Sequence, residues 1–187
     1  SIKEEFLRKV VEIMKAISIG KGVDDPDLGP ILNEKQFSRI MEFMEVAQNE
    51  GADFLTGGKR EQRAGLENGF FFQPTVIDNL DPKSYVAQEE IFAPVVAAFS
   101  FETEEQAIEL ANGTDYGLVT GIWTKDAARA HRVANRIRAG QVFINNYGAG
   151  GGVQMPFGGY KKSGFGREKG LEALRNYTIL KNVALKY

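Results

Sequence analysis

The 187-residue chain predicts an open α/β fold, a mostly parallel sheet with flanking helices. Three observations carry that prediction. Val95 to Phe101 is a nearly continuous apolar run, the pattern of a strand covered on both faces in a parallel sheet. Tyr116 to Thr124, Asp126 to Ile137 and Gln141 to Ile144 alternate strand, helix and strand patterning, which implies a right-handed crossover between parallel neighbours. The remaining helical stretches each carry one apolar stripe and two of them open on capping residues, so each has a face to lay against a sheet.

In chain order, Ile2, Phe6, Val10, Ile13 and Ile17 recur at helical spacing, with Leu7, Val11 and Met14 widening the stripe and Lys3, Glu4, Glu5, Arg8, Lys9 and Glu12 opposite, which predicts a core-facing helix. Gly20 to Pro30 is a loop. Its Asp24, Asp25 and Asp27 lack the closing glutamate and further oxygen ligands of a calcium loop, so they read as a solvated turn. Asn33 with Gln36 forms a capping box for a helix from Glu34 to Glu50, with Phe37, Ile40, Met41, Met44 and Ala47 inward and Gly51 as its stop. Asp53 to Thr56 is a short strand and Gly57 to Asn68 a polar loop. Phe70 to Ile77 is a strand that Pro74 confines to an edge or a bulge, and Phe70, Phe71 and Phe72 read as packing residues. Thr103 with Gln106 is a second capping box, opening a helix to Asn112, and Asp126 starts a helix with Ala130, Val133, Ala134 and Ile137 inward. From Tyr177 to Tyr187 the pattern returns to period two, with Ile179, Val183, Leu185 and Tyr187 on one face and no evident partner strand in the chain.

Composition narrows the functional classes. A formal net charge of −2 provides no basic patch, which argues against nucleic acid as a partner. No apolar run reaches the length of a membrane span, and the first residues do not resemble a signal peptide, which predicts a cytoplasmic protein. Asn112-Gly113-Thr114 and Asn176-Tyr177-Thr178 match the glycosylation sequon, which carries little weight without a secretion signal. Cysteine is absent, which removes disulfides and thiolate metal sites from this chain, and no metal-ligand cluster is apparent. The single histidine, His131, lies on the polar side of its helix without a nucleophile beside it and is not a catalytic candidate.

The segment Gly140 to Gly170 holds most of the functional signal. After a strand-like start it becomes glycine-rich, yet Met155, Phe157, Tyr160 and Phe165 anchor it, and long anchored loops in compact domains are usually functional. A phosphate site is the first physical guess. It fails, because Lys162-Ser163 lacks the preceding glycine spacing of a Walker loop and Gly164-Phe165-Gly166 lacks the third glycine of a dinucleotide fingerprint. Glu90, just ahead of the Val95 to Phe101 run, has two physical readings. It is a helix-capping or lysine-pairing carboxylate, or it binds sugar hydroxyls as acidic residues of dinucleotide sites do.

Two motifs add a resemblance to these readings. The run from Pro156 to Glu168, P-F-G-G-Y-K-K-S-G-F-G-R-E after the strand ending Ile144-Asn145, resembles the C-terminal signature of the aldehyde dehydrogenase superfamily, and Glu89 to Pro94 is similar to that family's E-E-I-F-G-P motif, with Ala93 in place of glycine. The resemblance implies an NAD(P)-dependent oxidation of an aldehyde to a carboxylic acid through a cysteine thioester. Glu90 would then hold the nicotinamide ribose of NAD or NADP and Phe92 would contact the nicotinamide ring. Phe157 would help line the aldehyde tunnel. The loop from Tyr147 to Gln154 would face the variable part of the substrate, where Gly150, Gly151 and Gly152 leave a roomier entrance. Arg167 and Glu168 would be structural ion-pair residues near a subunit interface. The family's cysteine nucleophile and general-base glutamate would lie upstream of this chain, so no catalytic residue is expected within it, and 1–187 alone should be inactive. Residues 1–176 would belong to the catalytic domain and 177–187 would be an oligomerisation strand of a homodimer or homotetramer. The alternatives are a non-catalytic scaffold or oligomerisation module derived from the family, and an acylating semialdehyde dehydrogenase.

Overall fold

Helix α1, Lys3–Ala16, opens the first of two structural units in the computed structural model, which describes residues 2–148 and 152–187. The units comprise residues 1–100 and 101–187. The apolar stripe of α1 is real, but within this chain it is mostly uncovered: Leu7 is buried, while Phe6 and Ile13 remain 59% and 67% exposed. The expected core-facing helix therefore finds little core in this unit. An ion pair from Lys3 Nζ to Asp78 Oδ1, at 2.8 Å, ties its start to the sheet.

Helix α2, Glu34–Asn49, supplies the core instead. The Asn33 side chain accepts from the Gln36 N–H at 2.9 Å, and Phe37, Ile40, Phe43, Met44 and Ala47 are buried. They pack with Phe72, Ile77, Leu80 and Val86. Phe71 joins Ile19 and Leu66 in a second cluster, so two of the three consecutive phenylalanines are fully internal. Strands β1 (Asp53–Thr56), β2 (Thr75–Asp78) and β3 (Val95–Ala97) form a sheet in that order, β1 antiparallel and β3 parallel to β2.

The expected strand over Phe70 to Ile77 begins only at Thr75, and it is central rather than at an edge. Pro74 lies one residue before the ladder, so its missing N–H costs no bond, and Thr75 N–H starts the pairing by donating to Pro94 O at 2.9 Å. Thr75 is fully buried. Its hydroxyl donates to Gln73 O and accepts from Gly58 N–H, both at 2.7 Å, which satisfies the one polar group there. The apolar run after Pro94 is strand only through Ala97, and Val96 is 43% exposed, so it is not covered on both faces within this chain. A short helix α3, Tyr85–Gln88, capped by Ser84, precedes it.

In the second unit, the Thr103 and Gln106 capping box is complete in both directions and opens α4, Glu104–Asn112. Strand β4, Val119–Ile122, helix α5, Ala127–Ala134, and strand β5, Gln141–Ile144, form the expected alternating unit, and β4 pairs with β5 in parallel over four residue pairs. Asp126 caps α5 through the Arg129 N–H, and the helix stops at Ala134, short of Ile137. Ile108, Ile137 and Ala139 make the buried cluster of this unit. Glu104 receives two bonds from Arg132, at 2.6 and 2.7 Å, which clamp α4 to α5 and hold the Glu104 carboxyl below its ordinary range. A 3-10 helix spans Leu171–Tyr177, so Tyr177 is helical where the terminal strand was expected to begin. Residues 178–187 form no ladder among the described residues and are all exposed. No described helix is long and apolar enough to cross a membrane.

Candidate active site

In the first unit, Glu90 and Phe92 sit on the segment between α3 and β3, and α2 positions them. Arg39 Nη2 donates to Glu90 O at 3.2 Å, and Gln36 Nε2 donates to Ile91 O and Phe92 O at 3.1 and 3.3 Å. Gln36 and Arg39 are three residues apart on α2 and so share a face. The sequence assigned Gln36 to a capping box, yet its side chain crosses to the motif, and Arg39 was not singled out at all. Arg39 is itself braced, with its guanidinium 5.1 Å from the Phe43 ring centroid, and Phe43 stacks on Tyr85 at 5.4 Å.

These bonds fix an unusual backbone. Phe92 has φ 58°, the left-handed region that costs an L-residue about 1–2 kcal/mol. The three donors stabilise the carbonyls on either side of that turn. Phe92 remains 74% exposed, so its ring stands free of the core. Glu90 is also exposed, and its carboxylate makes no bond within the described residues. Among the described residues Glu90 neither caps a helix nor pairs with a lysine. Ala93 is not left-handed, and so its methyl group fits without strain where the resembled motif has glycine.

In the second unit, the glycine-rich segment is folded by its own signature. Phe157 N–H donates to Glu168 O and Glu168 N–H to Phe157 O, both at 2.7 Å, a two-bond bridge. Lys161 Nζ donates to Asn112 O at 2.8 Å and Thr114 O at 2.6 Å, placing a cation where α4 leaves its carbonyls unpaired. Ser163 Oγ accepts from Gly117 N–H at 3.0 Å, and Gly117 O accepts from both Tyr160 N–H and Gly140 N–H. Lys162 pairs with Asp115 at 2.7 Å and keeps that carboxyl below its usual range. The backbones approach so closely that a Cβ on Gly140 would overlap Gly158 O, and one on Gly159 would press on Ser163. Most of the motif is thus a clasp that holds Phe157, which is half-buried. Arg167 is part of the clasp within this chain: its Nη1 donates to Gly159 O and Gly166 O, and its guanidinium lies 5.3 Å from the Tyr160 ring centroid. Gly150 and Gly151 lie outside the described residues, and Gly152 is half-buried. No cluster of potential metal ligands occurs among the described residues, and His131 borders a shallow groove with Trp123 and Asn145.

The first unit thus presents an exposed carboxylate and aromatic on one braced turn, and the second presents an aromatic on a glycine clasp. The chain belongs to the aldehyde dehydrogenase family, whose model matches residues 1–183. It is 41% identical over 184 residues to betaine aldehyde dehydrogenase of Bacillus subtilis, covering 98% of this chain and 37% of that protein. It is 40% identical over 188 residues to human 4-trimethylaminobutyraldehyde dehydrogenase, covering 99% of this chain and 38% of the relative. Among solved structures, betaine aldehyde dehydrogenase of Staphylococcus aureus in complex with NAD+ superposes with a TM-score of 0.90 at 44% identity, over 94% of this chain and 35% of that one. The chain therefore spans a little over a third of the relatives it matches.

Proposed function

We propose that this chain forms the nicotinamide-ribose contact and part of the substrate wall of an NAD(P)-dependent aldehyde dehydrogenase. The observation that carries the reading is the braced turn at Glu90 to Phe92: an unpartnered carboxylate beside an exposed ring suits a ribose diol next to a planar nicotinamide. When bound, NAD(P) supplies the hydride acceptor. Glu90 accepts hydrogen bonds from the ribose hydroxyls and Phe92 limits where the ring can lie. Phe157, held by its bridge to Glu168, forms an apolar wall beside the aldehyde. The nucleophilic thiol and the general base come from outside residues 1–187, none of which is cysteine. The overall reaction converts aldehyde, water and NAD(P)+ to carboxylic acid, NAD(P)H and a proton through a thioester. Residues 1–176 belong to the catalytic domain and 177–187 to an oligomerisation strand, in a cytoplasmic homodimer or homotetramer. The family membership and the NAD+ complex of the Staphylococcus aureus structure support this reading.

The test is Glu90→Gln in the complete protein. Weakening one charge-assisted bond, worth about 1.5–3 kcal/mol, should change cofactor KM or the hydride step by about ten- to a hundredfold while the fold stays intact. Unchanged steady-state and single-turnover kinetics would remove Glu90 from the site.

A further inference from the structure

Lys169 stands between two backbone fastenings of the signature loop. On one side is the bridge between Phe157 and Glu168, and on the other Gly170 N–H donates to Val153 O at 2.6 Å. Lys169 itself is left-handed, with φ 59°, a conformation that lysine adopts only under constraint. Gly170 follows at φ 57°, and a Cβ there would sit 3.1 Å from Gln154 O and from Pro156, so the loop packs closely against the residue after Lys169. The result is that the Lys169 ammonium lies over the Phe157 ring, 5.6 Å from its centroid.

We propose that Lys169 is a specificity-determining residue that sets the substrate wall against cationic aldehydes, so that the site takes aldehydes whose far end is uncharged or anionic. The inference rests on the reading of Phe157 as substrate wall. An aromatic face attracts a quaternary ammonium through its quadrupole, and here that attraction is already met by a lysine. A second cation brought to the same ring meets a like charge a few ångströms beyond it. Between residues 160 and 170 positive charge still predominates: Lys161, Arg167 and Lys169 stand against Glu168, while Lys162 is offset by its pair with Asp115. Lys161 and Arg167 are bound to carbonyl oxygens, which orient them without neutralising them.

Betaine aldehyde and its uncharged isostere tert-butylacetaldehyde separate charge from shape. With the complete protein, kcat/KM should favour the uncharged aldehyde by about tenfold or more at low ionic strength, the scale of two like charges a ring's thickness apart near a protein surface. Lys169→Met, which keeps the stem over the ring, and Lys169→Gln should each bring the two aldehydes to within about threefold, with the cofactor KM unmoved. A wild type that prefers the cation, or a preference that survives both substitutions, overturns the inference while leaving the aldehyde dehydrogenase reading in place. Turnover of neither aldehyde, nor of any short aliphatic aldehyde, overturns that reading and this one with it.

Discussion

Phe92 is the residue at which local strain and site geometry meet, because an aromatic side chain at φ 58° persists only if its neighbours hold it. The holders are Gln36 and Arg39, and their contribution is open to a direct check. Gln36→Leu combined with Arg39→Met removes three donors to the turn, each worth about 1 kcal/mol net, and leaves the packing of α2 in place. In the complete protein this pair should raise the cofactor KM or slow hydride transfer by at least about tenfold. The far-ultraviolet circular dichroism should not change. Kinetics equal to wild type would show that the turn keeps its form without them. Glu90, Phe92 and Phe157 were proposed from the sequence because each sits inside a continuous motif. Gln36 and Arg39 were not, since Gln36 meets its partner 55 residues away and a polar residue in a first helical turn has the simpler reading of a cap.

At the level of elements, the helices were readable from periodicity and caps, and Asn33, Thr103 and Asp126 each receive the expected backbone N–H. Strand limits were less readable. Pro74 could be placed beside a ladder but not inside one, and the run after Pro94 keeps strand form only where β2 pairs with it. The signature glycines were legible as a shaped loop, and their physical purpose was not: Gly140, Gly158 and Gly159 allow close approach of the loop's own backbone and of Ser163. The terminal segment belongs to this scale too. Residues 178–187 expose Ile179, Leu180, Val183, Leu185 and Tyr187, each at least 72% accessible, a row of apolar groups that disfavours a solvated tail. Deleting 178–187 from the complete protein should lower its oligomeric state by light scattering and leave the α/β core folded. A deletion variant that keeps the parent's assembly at micromolar concentration would show that the segment is not an oligomerisation element.

For the whole molecule, the division of labour follows from what residues 1–187 contain and lack. They carry a braced turn with an exposed carboxylate and aromatic in one unit and a clasped aromatic in the other, and they carry no thiol. A second reading, a scaffold without catalysis, draws on that same missing cysteine. The two part on one measurement, aldehyde-dependent NAD(P)H formation followed at the nicotinamide absorbance for purified 1–187 and for the complete protein side by side. The proposed function predicts turnover by the complete protein and none by 1–187, with mass spectrometry confirming each preparation. Turnover by 1–187 alone, or its absence from the complete protein across aldehydes and both cofactors, would contradict it.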